Sequence, residues 1–169
     1  MCPGNIDLRA DPLPAGTIVC LPAAALGERL EEEINRAGRH GTALSCLLVV
    51  IENLDELTQA HGSELGERTL VYVGEALRHE LRRFDRVGRP SERELAVLLP
   101  GADGPRGEVV ARRALARLRA IKVEAGGQRR PLRVSVGLAA WHGDLGGEEL
   151  LAAARDAAPR ENGVETIQT

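Results

Sequence analysis

The sequence predicts an α+β domain, a sheet with helices packed over it. Residues 43–51 (ALSCLLVVI) form a near-continuous apolar run bounded by Gly41 and Asn53, the pattern of a strand buried on both faces. Segments of helical periodicity stand between the strands. One polar hairpin interrupts them at mid-chain.

Residues 1–15 carry Pro3, Gly4, Pro12 and Pro14 and read as an irregular lead-in. From Pro22 the period becomes helical: Leu26, Leu30 and Ile34 recur on one face, with Glu31, Glu32 and Glu33 outside, to about Gly38. The strand at 43–51 follows, then a short helical stretch from Leu54 to Gln59. Gly62-Ser63 opens a long helix to about Arg83, with Ser63 as N-cap and Leu65, Val73, Leu77 and Leu81 along one side. A hairpin has Asp85–Arg89 on one limb and Glu94–Leu99 on the other, and Pro100-Gly101 ends it. Residues 106–121 return to helix, with Val109, Val110, Leu115 and Leu118 inward. Leu132, Val134, Val136 and Leu138 alternate as in a half-buried strand. A last helix runs from about Gly147 to Ala158 and stops at Pro159.

The chain has 169 residues, with 43% hydrophobic and 28% charged, as in one soluble globular domain. Tyr72, Phe84 and Trp141 are its only aromatics, so the core must be aliphatic. A net charge of −3 argues against a general binder of nucleic-acid polymers, although it leaves room for a local basic pocket. Cys2, Cys20 and Cys46 show no metal-ligand spacing, and the four histidines add none, so no metal site is expected. No signal peptide and no apolar stretch of membrane-spanning length is visible, and a cytoplasmic protein is expected. No phosphate-binding G-x-x-x-x-G-K-[ST] loop and no nucleophile elbow occurs.

Four ordered stretches carry a family likeness. Residues 20–57, 61–89, 94–101 (ELAVLLPG) and 134–141 (VSVGLAAW) follow one another at near-gapless spacing. From Gly16 to about Gly163 the chain resembles the GGDEF domain of diguanylate cyclases. The likeness implies a nucleotidyl-cyclase-like, mostly antiparallel central sheet surrounded by helices. It takes residues 16–169 as the domain.

In that register the five-letter signature falls on Ser91, Glu92, Arg93, Glu94 and Leu95. The two glycines that let backbone approach the nucleotide are replaced. Arg93 stands where an acidic metal ligand is expected, and the family's other metal-binding aspartate aligns with Val50. The base-recognising Asn and Asp align with Thr58 and Glu67, and the final-helix lysine is missing from 154–163. Glu52 and Glu94 read as ordinary solvated or strand-edge glutamates. The resemblance with these departures implies a degenerate domain that is not an enzyme and carries no cofactor.

The same likeness implies a second site. The family binds its product, cyclic di-GMP, at an Arg-x-x-Asp motif that ends six residues before the signature. Arg82-Arg83-Phe84-Asp85 occupies that place, and a further family arginine aligns with Arg113. The residue types suit the ligand: a guanidinium fork donates to guanine O6 and N7, and a carboxylate accepts from N1 and N2. Arg86 and Arg89 read either as residues that steer the ligand phosphates or as solvated hairpin residues. The expectation is a cyclic di-GMP receptor, with ligand-bridged pairing of two protomers or docking of a signalling partner. Three alternatives remain open, one of them an enzyme that uses an unusual metal arrangement around Glu52 and Glu94. An i,i+3 surface ion pair has the same spelling as Arg82–Asp85. A protein-interaction module that has lost nucleotide binding has the same fold.

Overall fold

The computed structural model describes residues 5–7, 20–158 and 164–167. The elements in chain order are β1 (Asn5–Asp7), β2 (Leu21–Pro22), α1 (Ala23–His40), β3 (Leu44–Ile51), α2 (Leu54–His61), α3 (Ser63–Arg78), β4 (Arg86–Ser91), β5 (Glu94–Pro100), α4 (Gly104–Arg119), β6 (Lys122–Ala125), β7 (Gln128–Pro131), β8 (Val134–Ala140), α5 (Gly147–Ala157) and β9 (Val164–Ile167). The main sheet has strand order β2-β4-β5-β3-β8-β9. Its central pairings β4–β5, β5–β3 and β3–β8 are antiparallel, and only the edges β2–β4 and β8–β9 are parallel. This is the mostly antiparallel α+β sheet that the sequence predicts.

Period-two alternation along β3 distributes the core between two layers. Leu44, Cys46 and Leu48 face α1 and α5, beside Leu26, Leu30, Ala96, Leu98 and Leu150. Leu47, Val49 and Ile51 face α2, α3 and α4, beside Leu70, Leu77, Val97, Leu115 and Leu118. Burial pushes the Cys46 thiol up to about 12, as a core residue surrounded by aliphatic side chains requires.

Helix ends follow local chemistry. α1 ends at Gly41, whose φ of 63° is the left-handed cap that glycine adopts freely, and its N–H bonds the Ala37 carbonyl. Asp103 caps α4 by accepting from the Arg106 backbone N–H at 3.0 Å, with a proline in the first turn. Ser63 is not the cap expected for α3: it is the first helical residue and makes no cap bond, because Gly62 at φ 100° sets the entry.

The structure departs from the sequence reading in further places. Val109, expected inward on α4, is exposed, and Glu33, expected outside on α1, is buried. α3 ends at Arg78 rather than near Arg83. β8 is buried on both faces from Val134 to Ala139, since α5 covers the side expected to meet solvent. Within the segment read as irregular, Asn5–Asp7 pairs in parallel with Lys122–Glu124; residues 8–19 lie outside the described residues. A small hairpin, β6–β7, was not anticipated; it joins β1 in a separate three-stranded sheet. Pro159, expected to stop the last helix, lies outside the described residues.

Candidate functional site

The β4–β5 hairpin has chemistry at both ends. One end is the corner joining α3 to β4, where Asp85 precedes Arg86 opposite Leu98. The other is the turn between Ser91 and Glu94.

At the corner, the chain leaves α3 through short turns, with Leu81 N bonding the Arg78 carbonyl and Asp85 N the Arg82 carbonyl. Arg78 holds this shape. Its guanidinium donates to the carbonyls of Asp85 at 2.6 Å, Arg82 at 2.8 Å and Arg83 at 2.8 Å. Sequence reasoning missed Arg78, because its partners are backbone carbonyls without a side-chain signature.

Asp85 is only 1% exposed. One oxygen accepts from the Arg82 backbone N–H at 2.7 Å and from Arg82 Nε at 3.3 Å; the other accepts from Arg82 Nη2 at 3.0 Å. Arg82 Nη2 also donates to the Pro100 carbonyl at 2.8 Å. The carboxylate therefore faces inward and fixes the guanidinium, whose side chain is 43% exposed. Among the described residues no bond engages Arg82 Nη1. The Arg82 guanidinium carbon lies over the Phe84 ring, 4.7 Å from its centroid.

The other expected ligand residues divide. Arg86 adjoins the corner and donates to the Arg83 carbonyl at 3.3 Å. Arg113 is exposed on α4 and makes no bond to Arg82 or Asp85. One turn further along α4, Arg117 binds Glu80 at 2.7 Å, which ties that helix to the approach to the corner. Arg89 is not at the corner. It points to α3 and forms a two-pronged pair with Glu67 at 2.7 and 2.8 Å. The hydrogen bond from Arg89 holds the Glu67 carboxyl below its ordinary range.

At the far turn, Ser91 stands opposite Glu94, and Val50 lies between Glu94 on β5 and Ser135 on β8. Glu92 and Arg93 form the exposed tip, and Leu95 enters the core. Arg93 reaches Asp55 at 2.9 Å. Glu94 is not an ordinary strand-edge glutamate. It is buried, and Arg155 of α5 donates to both of its oxygens at 2.8 and 2.9 Å. Burial alone raises the Glu94 carboxyl, but the bonds from Arg155 and Ser91 and the charges of Arg155 and Arg93 outweigh it and hold it below the ordinary value. Glu52 accepts from the Ser135 hydroxyl at 2.8 Å.

The diguanylate cyclase GGDEF-domain family matches residues 23–162. The chain belongs to that family. This GGDEF domain is 30% identical over 134 residues to a Pseudomonas aeruginosa protein named diguanylate cyclase DgcP, covering 79% of this chain and 20% of that one. It thus spans about a fifth of that relative's length. Two solved structures share its fold. The GGDEF domain of DgcB from Caulobacter crescentus, in complex with c-di-GMP, superposes with a TM-score of 0.81 at 16% identity, covering 94% of this chain and 97% of that one. The active GGEEF domain of a diguanylate cyclase from Vibrio cholerae gives a TM-score of 0.80 at 15% identity, covering 90% of this chain and 99% of that one.

These findings correct the expectation that the chain is not an enzyme. The matched family is one of cyclases, and the Pseudomonas relative, matched over 79% of this chain, is itself named a cyclase. The replaced letters at 91–95 and at Val50 change side chains and leave the fold shared with the active GGEEF domain from Vibrio cholerae. The family's chemistry implies a divalent cation at the far turn. As they stand, the donors do not fit one: Val50 offers no ligand, both Glu94 oxygens are taken by Arg155, and Arg93 adds positive charge. No cluster of three metal-ligating side chains occurs among the described residues. No helix among them is long and apolar enough to cross a membrane.

Proposed function

We propose that this GGDEF domain is a receptor for cyclic di-GMP, bound at the Arg82–Asp85 corner. The observation that carries the reading is the state of Arg82. A fully buried carboxylate aims its guanidinium, yet the side chain stays nearly half exposed and Nη1 has no partner among the described residues. The Nη1 amino group is thus held in advance with its donors free for an acceptor on a base edge, such as guanine O6 or N7. A surface ion pair between two solvated side chains has no need of a 1%-exposed aspartate.

In this reading Arg82 is the contacting residue and Asp85 orients it. Arg86, which bonds the Arg83 carbonyl at the corner, supplies positive charge for the ligand phosphates, Arg113 of α4 is assigned as a further contact by its place in the family register, and Arg89 is committed to its pair with Glu67. The family and the Caulobacter domain of the same fold, whose structure holds c-di-GMP, support this ligand class. The corner lies at the opposite end of the hairpin from Ser91–Leu95, so binding there is independent of turnover at the signature. A ligand with two guanines engages two such corners, and pairing of protomers on ligand addition is the expected output.

Calorimetric titration with cyclic di-GMP tests this. The parent chain is expected to bind with micromolar affinity or better, about 8 kcal/mol, and Arg82→Ala to lose that binding. Absence of heat in the parent overturns the reading and favours a protein-interaction module.

A further inference from the structure

We infer that Phe84 is a stacking platform for a base of the ligand held at the Arg82 corner. The inference rests on the reading above and adds a binding residue to it.

The chain has three aromatic residues. Tyr72 and Trp141 pack against the two core layers, and Trp141 also donates its ring N–H to the Leu145 carbonyl at 2.9 Å. Phe84 does neither. It is 54% exposed, in a protein whose only other large exposed apolar residue, among those described, is Val109. An exposed phenyl ring gains little from folding, since most of its apolar area stays in water. Its neighbours in sequence, Arg83 and Asp85, are both charged.

The ring does have one organised contact, with Arg82, whose guanidinium carbon lies 4.7 Å from the ring centroid. Planar guanidinium groups stack on aromatic faces. The same guanidinium is held from its Nε and Nη2 side by Asp85. That leaves Nη1 to reach a base edge, and the phenyl ring stands beside it, its centroid 4.7 Å from the guanidinium carbon and most of its surface open to solvent. A base that accepts from Nη1 rests its face on the open part of that ring. Arg82 reads the base edge through hydrogen bonds, while Phe84 takes the base face and is indifferent to which base it is.

The test is a set of Phe84 variants titrated calorimetrically with cyclic di-GMP, beside the parent and Arg82→Ala. The ring is mostly exposed, so these variants are expected to fold. Phe84→Ala and Phe84→Leu are expected to bind about tenfold more weakly, because leucine keeps apolar bulk but has no π face. Phe84→Trp is expected to keep parent-like affinity, and its emission to fall on ligand addition beyond any response of Trp141 in the parent. If Phe84→Ala matches the parent while Arg82→Ala loses binding, the stacking inference is overturned and the receptor reading stands. If Phe84→Leu binds as the parent does and Phe84→Ala does not, the contact is apolar only and stacking is overturned. If the parent does not bind, both fall together.

Discussion

Arg155 and Glu94 join α5 to the signature hairpin through two parallel hydrogen bonds of 2.8 and 2.9 Å. The residues are 61 positions apart, and the pair closes the sheet end where Val50, Glu94 and Ser135 stand side by side. Glu94 is buried and Arg155 is 47% exposed. Removing Arg155 leaves a buried carboxylate with only the bond from Ser91 and the charge of Arg93. Solvent screening of the exposed partner brings the cost well below that of a wholly buried pair, to about 1–2 kcal/mol. Arg155→Ala is expected to lower the calorimetric unfolding midpoint by a few degrees, and Arg155→Ala combined with Glu94→Gln to lower it by less than the sum of the two single changes.

The same pair sets an acid limit. The Glu94 carboxyl is held below its ordinary 4.5 in the folded chain. A carboxyl depressed on folding contributes stability that is fully present above the unfolded-state value. That contribution is lost as pH falls through the folded-state value. Denaturant midpoints measured from pH 7 downward are expected to fall below about pH 4.5 more steeply for the parent than for Glu94→Gln.

Arg78 shapes the corner without standing in the ligand's path. Its three bonds to the carbonyls of Asp85, Arg82 and Arg83 are charge-assisted, and the side chain is half-buried. Arg78→Ala is expected to cost about 1–2 kcal/mol and to speed amide exchange across residues 79–85. Arg78→Lys is expected to restore only part of the protection, since one ammonium does not reproduce a planar fork on three carbonyls.

Gly137 marks the closest approach of α5 to the sheet. A Cβ there meets the Ala154 carbonyl oxygen, and the Ala158 nitrogen at 2.6 Å, both of them backbone atoms that cannot rotate away. Gly137→Ala is expected to destabilise the fold by about 3 kcal/mol, measured by urea denaturation, by prising α5 from β8. Gly27→Ala, with nothing within 4 Å of its Cβ, is the control and is expected to be neutral or stabilising.

Elements with strong apolar period were legible in the sequence. β3 and β5 are continuous apolar runs, and α1 repeats Leu26, Leu30 and Ile34 on one face. β7 was not legible, because Gln128–Pro131 is exposed throughout and has no buried face to create alternation. The exposure expected of β8 was wrong because nothing local records that α5 returns to cover it. At the corner, the spacing of Arg82 and Asp85 was visible. That Asp85 points inward was not, since burial there depends on Arg78 and on the Pro100 carbonyl. Glu94 was misread for a similar reason: its partner Arg155 belongs to a different helix, and no spacing rule links them.

A crystal structure of the parent chain with cyclic di-GMP tests the central claim most directly. The account predicts a guanine edge on the Arg82 guanidinium, with Asp85 still bonded behind it. A ligand seated instead in the cleft beside Ser91–Leu95, or on a surface without Arg82, contradicts it.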